Sequence, residues 1–208
     1  ENWKNPIKKV KAPIKPDEPL EPVSIDTIQK LLETCSDETF TNVRDEAIIL
    51  SLLDTGARAS EFLAIDLNDI NQVMGDILIR SGKGGKPRRV FVGKKSRKHI
   101  GRYLGLRKDN SPALWITNRS HGSNRLSYWG LRSMIRRRSS TAGVDAPSIY
   151  DFRRAFAIEM LRKGVDIYTL AKLMGHSTID VLKYYLKQTT EDLAIAHSQN
   201  GPVDNHHL

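Results

Sequence analysis

A single cysteine, Cys35, among 208 residues excludes an intrachain disulfide framework and suits a reducing, cytoplasmic setting. No apolar run approaches the ~18 residues that a membrane-spanning helix needs, so no membrane partner is expected. The chain opens on Glu1 with no leader pattern and no initiator methionine, and is expected to be a fragment or a processed form. Acidic residues are absent from one long stretch. Residues 80–138 hold 18 lysines and arginines against one acid, Asp109, whereas the rest of the chain holds 15 against 23 acids. The overall charge of +9 therefore hides a basic block of +17. The block is interrupted by apolar residues and is not low in complexity, which points to a folded face for a polyanion, with nucleic acid the expected partner.

Hydrophobic content of 39% and charged content of 27% describe an ordinary globular chain able to bury a sizeable core. Five of the nine prolines and five lysines fall in residues 1–22, which read as an extended linker from a preceding domain. Ser24 caps a predicted helix whose apolar positions, Ile25, Ile28, Leu31, Leu32 and Cys35, recur at helical spacing, so Cys35 reads as core. A second helix is predicted over 42–54 and a short one over 57–65. Residues 66–75 read as a turn-rich connection. Strands are predicted at 76–80 and 88–92, joined by a hairpin loop rich in glycine and lysine. A basic helix follows over 94–106, then a short third strand or extended segment at 114–117. A very basic helix is predicted over 127–140, followed by helices over 151–163, 166–174 and 178–188. A short helix over 191–197 and a polar tail complete the reading. The fold class is mainly α with a small antiparallel β-sheet, an α+β arrangement.

Chemistry concentrates at a few places. Arg58 follows Thr55-Gly56, and Glu61 stands at i,i+3 from it. Lys83 lies in Gly82-Lys83-Gly84-Gly85-Lys86, which lacks the Gly-Lys-Ser/Thr of a phosphate-binding P-loop. Arg153 opens a helix in Tyr150-Asp151-Phe152-Arg153-Arg154, and Leu173-Met174-Gly175-His176-Ser177 joins two helices ahead of Tyr184-Tyr185. At ~100° per residue Tyr185 falls within the apolar arc of Ile179, Val181, Leu182 and Leu186, whereas Tyr184 falls outside it. Tyr185 thus faces inward, as core or as active site. Two arginines, a lysine, a histidine and a tyrosine form an inventory for phosphodiester chemistry. Arginines clamp nonbridging oxygens, a lysine protonates a leaving oxygen, and a tyrosine attacks phosphorus. Each has a plainer role available: an Arg58–Glu61 ion pair, a solvated hairpin turn, a surface arginine, a capping histidine.

The order and spacing of Thr55-Gly56-Ala57-Arg58-Ala59-Ser60-Glu61, Gly82-Lys83-Gly84, Asp151-Phe152-Arg153, Leu173-Met174-Gly175-His176-Ser177 and Tyr185 resemble the tyrosine recombinase (phage integrase) family. The resemblance covers about residues 22–190, the family's catalytic domain, and leaves 191–208 as a C-terminal helix and tail. It implies that Arg58 and Arg153 bind the scissile phosphate and that Glu61 holds Arg58. Lys83 would protonate the 5′-hydroxyl, His176 would support the transition state, and Tyr185 would form a 3′-phosphotyrosine. Energy is kept in that bond, so no ATP, metal or other cofactor is implied. The family's partner is double-stranded DNA, on which a homotetramer forms. Tyr150 departs from the pattern, standing where the family usually has histidine. A phenol, with an ordinary pKa near ~10, donates a hydrogen bond but is a poor base at neutral pH. Lys86, Arg88, Arg125, Arg132, Arg136, Arg137 and Arg138 are the expected DNA contacts. The expected activity is site-specific integration or excision of a mobile element. Alternatives are a binding relative that has lost cleavage and a type IB topoisomerase-like activity, the latter disfavoured by the short interval after His176.

Overall fold

The computed structural model describes residues 22–80, 87–117 and 124–175, together with positions 194, 197, 198, 201 and 203. Helices α1 (Ile25–Glu33), α2 (Phe40–Thr55) and α3 (Ala59–Leu63) come first. A 3-10 turn at Leu67–Asp69 leads to strands β1 (Ile70–Asn71), β2 (Asp76–Ile79) and β3 (Arg88–Phe91). Helices α4 (Lys94–Gly105), α5 (Tyr128–Ala142), α6 (Ile149–Arg162) and α7 (Ile167–Met174) follow. This is the expected mostly helical fold with one small antiparallel sheet. None of the described helices is long and apolar enough to cross a membrane.

The helix starts are written in side chains. Ser24 accepts from Thr27 N at 3.0 Å, Thr39 from Asn42 N at 3.3 Å, and Asp166 from Thr169 N at 2.9 Å. Each satisfies a first-turn donor that has no intrahelical partner. Helix α2 is the axle of the fold and packs against α1, α4, α6 and β3. It is buried nearly all round, from Val43 through Ile48, Ile49 and Leu52 to Thr55. A column of rings ties its start to the rest of the core. Phe40 meets Tyr103 at 5.6 Å, Tyr103 stacks on Trp115 at 5.6 Å, and Trp115 stacks on Phe62 at 5.1 Å. The Tyr103 hydroxyl donates to the Leu114 carbonyl at 2.9 Å and accepts from Ile116 N at 3.2 Å, so the buried phenol is satisfied. Cys35 is 7% exposed, and burial pushes its thiol up to about 11, in keeping with the core reading.

Two expectations are corrected. The third strand of the sheet is β1, within the stretch read as a turn connection, paired with β2 at Ile70↔Ile77. Residues 113–116, read as a third strand or an extended segment, are buried, bend at Leu114 and Trp115, and make isolated bridges at Asp66↔Ala113 and Ile116↔Arg125. The short helix predicted over 57–65 is one turn shorter, because Arg58 is its extended N-cap and not a helical residue. The helix predicted over 178–188 and the one over 191–197 fall largely outside the described residues.

Candidate active site

Four chain segments converge on the last turn of α7. Thr55 and Gly56 end α2, with the Thr55 hydroxyl donating to Ser51 O at 2.7 Å and Gly56 at φ +55°. A side chain at Gly56 would stand 2.3 Å from the Phe156 ring of α6, so glycine is needed for space as well as for the left-handed backbone. The turn sends the chain straight into Arg58 and α3. On α6, Ser148 and Asp151 cap the helix, Asp151 accepting from Ser148 N at 2.7 Å. Arg153 follows on its inner face. The first residue of β3, Arg88, reaches in from the sheet.

The last carbonyls of a helix lack intrahelical donors and form the negative end of its dipole. Here an arginine meets each of three successive ones. Arg88 Nε donates to Leu173 O at 3.1 Å, Arg153 Nη2 to Met174 O at 2.8 Å, and Arg58 Nη2 to Gly175 O at 3.3 Å. Arg153 also donates through Nη1 to Gly56 O at 2.6 Å, so one guanidinium joins the ends of α2 and α7. Arg153 is 2% exposed. Gly175, at φ +66°, caps α7, and the chain then continues into His176.

Glu61 stands between two of these arginines. One carboxylate oxygen accepts Arg58 Nη1 at 2.8 Å and Arg88 Nη1 at 3.0 Å. The other accepts the Arg58 backbone N–H at 2.9 Å and Arg88 Nη2 at 2.7 Å. The backbone bond is the reach-back half of a capping box, so the same side chain starts α3 and orients Arg58. Burial opposes its charge, but Arg88 and both donors of Arg58 bring the carboxyl down to about 2. Charge-assisted hydrogen bonds of this kind are short and strong. Three guanidiniums against one carboxylate leave the cluster with a net positive charge, which suits a phosphodiester.

The structure thus brings Arg58 and Arg153 together at the turn before His176. Tyr150, on the first turn of α6, is exposed, with the Arg154 guanidinium 4.5 Å over its ring. Lys83, Lys86, His176 and Tyr185 lie outside the described residues. Three of the expected DNA contacts also hold partners within the protein, Arg88 and Arg138 buried or nearly so and Arg125 exposed. Arg88 serves Glu61 and the α7 end. Arg125 donates to the Leu63 and Ile65 carbonyls and pairs with Asp66. Arg138 is buried against Asp45, Asn42 and the Thr34 carbonyl. Arg137 also reaches Asp45, at 2.9 Å, although half-exposed, while Arg132 and Arg136 stand outward on α5. Sequence reasoning missed the role of Arg88. The signal was its register, since Arg88 pairs with the buried Ile79 and shares its strand face with buried Val90. A charge on that face requires a buried partner.

The sequence profile of the phage integrase family matches residues 23–192. Tyrosine recombinase XerA of Pyrococcus horikoshii is 31% identical over 185 residues, covering 89% of this chain and 63% of that protein. Tyrosine recombinase XerD of Ralstonia nicotianae is 32% identical over 167 residues, covering 77% of this chain and 53% of that protein. The chain therefore spans less than two thirds of the length of these relatives. Among solved structures, a crystal structure of XerA recombinase superposes with a TM-score of 0.75 at 26% identity, over 92% of this chain and 67% of that one. The Tn1549 transposon integrase, solved in complex with circular intermediate DNA, shares the fold at a TM-score of 0.68 and 17% identity, over 93% of this chain and 70% of that one. A profile match that spans most of the sequence, including the segments that carry Arg58, Glu61, Arg88 and Arg153, establishes that this chain belongs to the phage integrase family.

Proposed function

We propose that this chain carries the catalytic part of a site-specific DNA recombinase, which breaks and rejoins strands through a covalent 3′-phosphotyrosine on Tyr185. The carrying observation is the convergence of Arg58 and Arg153 on the α7 turn that leads into His176. Tyr185 Oη attacks phosphorus, the bond from phosphorus to O5′ breaks, and Lys83 supplies the proton to the departing 5′-oxygen. The phenolic proton leaves to a site base or solvent. Arg58 and Arg153 neutralise the charge gathering on the nonbridging oxygens, and such preorganised electrostatic stabilisation is usually the main source of rate enhancement in reactions of this kind. His176 donates a further hydrogen bond. Tyr150 acts as a hydrogen-bond donor and not as a base. Two copies on each of two duplexes make the tetramer of the full reaction, and the biological role is integration or excision of a mobile element. The name XerA among the relatives makes resolution of chromosome dimers the competing role.

The test uses nicked suicide duplexes, from which a short fragment diffuses away after cleavage and traps the covalent adduct. A pool with randomised binding arms identifies sequences the chain cleaves, and denaturing gels read the adduct. Wild type is expected to form it and Tyr185→Phe to form none. An adduct that persists in Tyr185→Phe would move the nucleophile to another residue. No adduct from either protein would favour a binding relative without cleavage, the reading that Tyr150 motivates.

A further inference from the structure

The recombinase reading assigns work to Arg58 and Arg153 but none to Arg88, although Arg88 makes three side-chain hydrogen bonds in the site. All three of its nitrogens are used: Nη1 and Nη2 fork onto the two oxygens of Glu61, and Nε holds Leu173 O. Its side chain is 11% exposed. A Cβ on Gly175 would stand 2.8 Å from Arg88 Nε and 2.9 Å from its Cζ, so the backbone of the α7 turn lies flush on the guanidinium. Arg88 therefore touches both parts that hold Arg58: the carboxylate that orients it and the turn whose Gly175 carbonyl it meets.

We propose that Arg88 is a positioning residue of the recombinase site, fixing Glu61 and the 173–175 turn so that Arg58 presents one set direction to the scissile phosphate. Without Arg88 the Glu61 carboxylate has a single guanidinium to serve. It is then free to fork onto Arg58, which turns that arginine away from substrate and cancels its charge. With Arg88 in place, two guanidiniums share one carboxylate and the trio keeps a net positive charge. The Nη1 of Arg58 is held at one corner of Glu61 only. Its Nε has no partner among the described residues. Lysine cannot substitute, because a single ammonium point cannot span both carboxylate oxygens and the Leu173 carbonyl.

The inference rests on the recombinase reading and is tested on the same chain with the suicide duplexes that wild type cleaves. Under single turnover with protein in excess, Arg88→Ala is expected to slow adduct formation about 10²-fold, the scale of a misplacement near 1 Å. Arg88→Lys is expected to lose at least about 10-fold despite keeping the charge. DNA affinity and its salt dependence should stay at wild-type values, since Arg88 makes no phosphate contact. Combining Arg88→Ala with Glu61→Gln should cost little more than the slower single variant, because both act through one carboxylate. Should Arg88→Ala fail to fold by circular dichroism, Arg88→Lys decides. A wild-type rate in Arg88→Lys overturns the proposal. So does a salt slope lower by about one, which would make Arg88 a phosphate contact, or full multiplication of the two single effects. Absence of adduct in wild type would instead sink the recombinase reading, and the inference with it.

Discussion

At the scale of single residues, Glu61 is the side chain on which the site turns. Its carboxylate is 3% exposed and accepts four hydrogen bonds, three from guanidiniums and one from a backbone N–H. Its pKa falls from 4.5 to about 2 on folding. A depressed value means that the stabilisation is complete above the ordinary carboxylate range and drains away as pH falls toward 2. Its size at neutral pH is on the order of 3 kcal/mol. Urea unfolding at pH 6 and pH 3 tests this. Wild type should lose a share of stability over that interval that Glu61→Gln, already lacking it at pH 6, does not lose. Equal losses in the two proteins would show that Glu61 is not held as described. Part of this is legible in the sequence. The Arg58–Glu61 pair follows from i,i+3 spacing, and Arg153 from its motif. Arg88 reads as a surface charge because a basic block offers no sign, in composition alone, of which arginine turns inward. Strand register carries that sign.

Among the elements, the helices are readable and the small sheet only in part. Amphipathic spacing and caps place α1, α4, α5, α6 and α7 within a few residues, since each presents one apolar face. Strand β1 escapes such a reading because two residues carry no alternation, and it exists only through pairing with β2. The segment at 113–116 reads as a strand or extended run because it is apolar, yet its buried backbone bends at Leu114 and Trp115 between two isolated bridges. Helix ends show the same split between local and tertiary causes. Gly56 and Gly143 both cap helices in the left-handed region, at φ +55° and +66°. A Cβ on Gly56 would stand 2.3 Å from the Phe156 ring, whereas one on Gly143 would meet nothing within 4 Å. Gly143→Ala is therefore expected to cost about 1 kcal/mol, the left-handed penalty alone. Gly56→Ala should cost that plus the displacement of a buried ring, about 3 kcal/mol in all. Thermal or urea unfolding of the two variants gives the difference. Equal losses would mean that α6 yields freely and does not set the position of Arg153.

At the scale of the molecule, the charge segregated along the sequence is in part brought together in space. Acids from outside the basic block fold back onto it. Glu38 and Glu46 meet Arg102, Asp45 meets Arg137 and Arg138, Glu61 meets Arg88, Asp66 meets Arg125, Asp69 meets Arg80, and Asp76 meets Arg89. A block of +17 is therefore not a uniform DNA-facing surface. Part of it, Arg88 and Arg138 above all, is scaffold, which composition cannot reveal, because one arginine in a linear sequence looks like another. The arginines that keep an outward charge are fewer. On α5, Arg132 lies over the Trp129 ring at 5.7 Å, and Arg136 follows one helical turn later, neither in an ion pair among the described residues. These two divide cleanly from Arg138 on the same helix, which is 7% exposed and bonded to Asp45 through Nε and Nη2. Binding of duplex DNA measured from low to physiological salt separates the two kinds. Each phosphate contact contributes close to about −0.9 to the slope of log affinity against log salt. Arg132→Ala and Arg136→Ala should each flatten the slope by about one with no loss of stability. Arg138→Ala should leave the slope of the folded fraction unchanged. It would instead lower stability by about 3 kcal/mol, because its removal leaves buried Asp45 short of a partner. If Arg138→Ala flattens the slope, or if Arg132→Ala and Arg136→Ala leave it intact, the outward face of α5 is not where this molecule meets the DNA backbone.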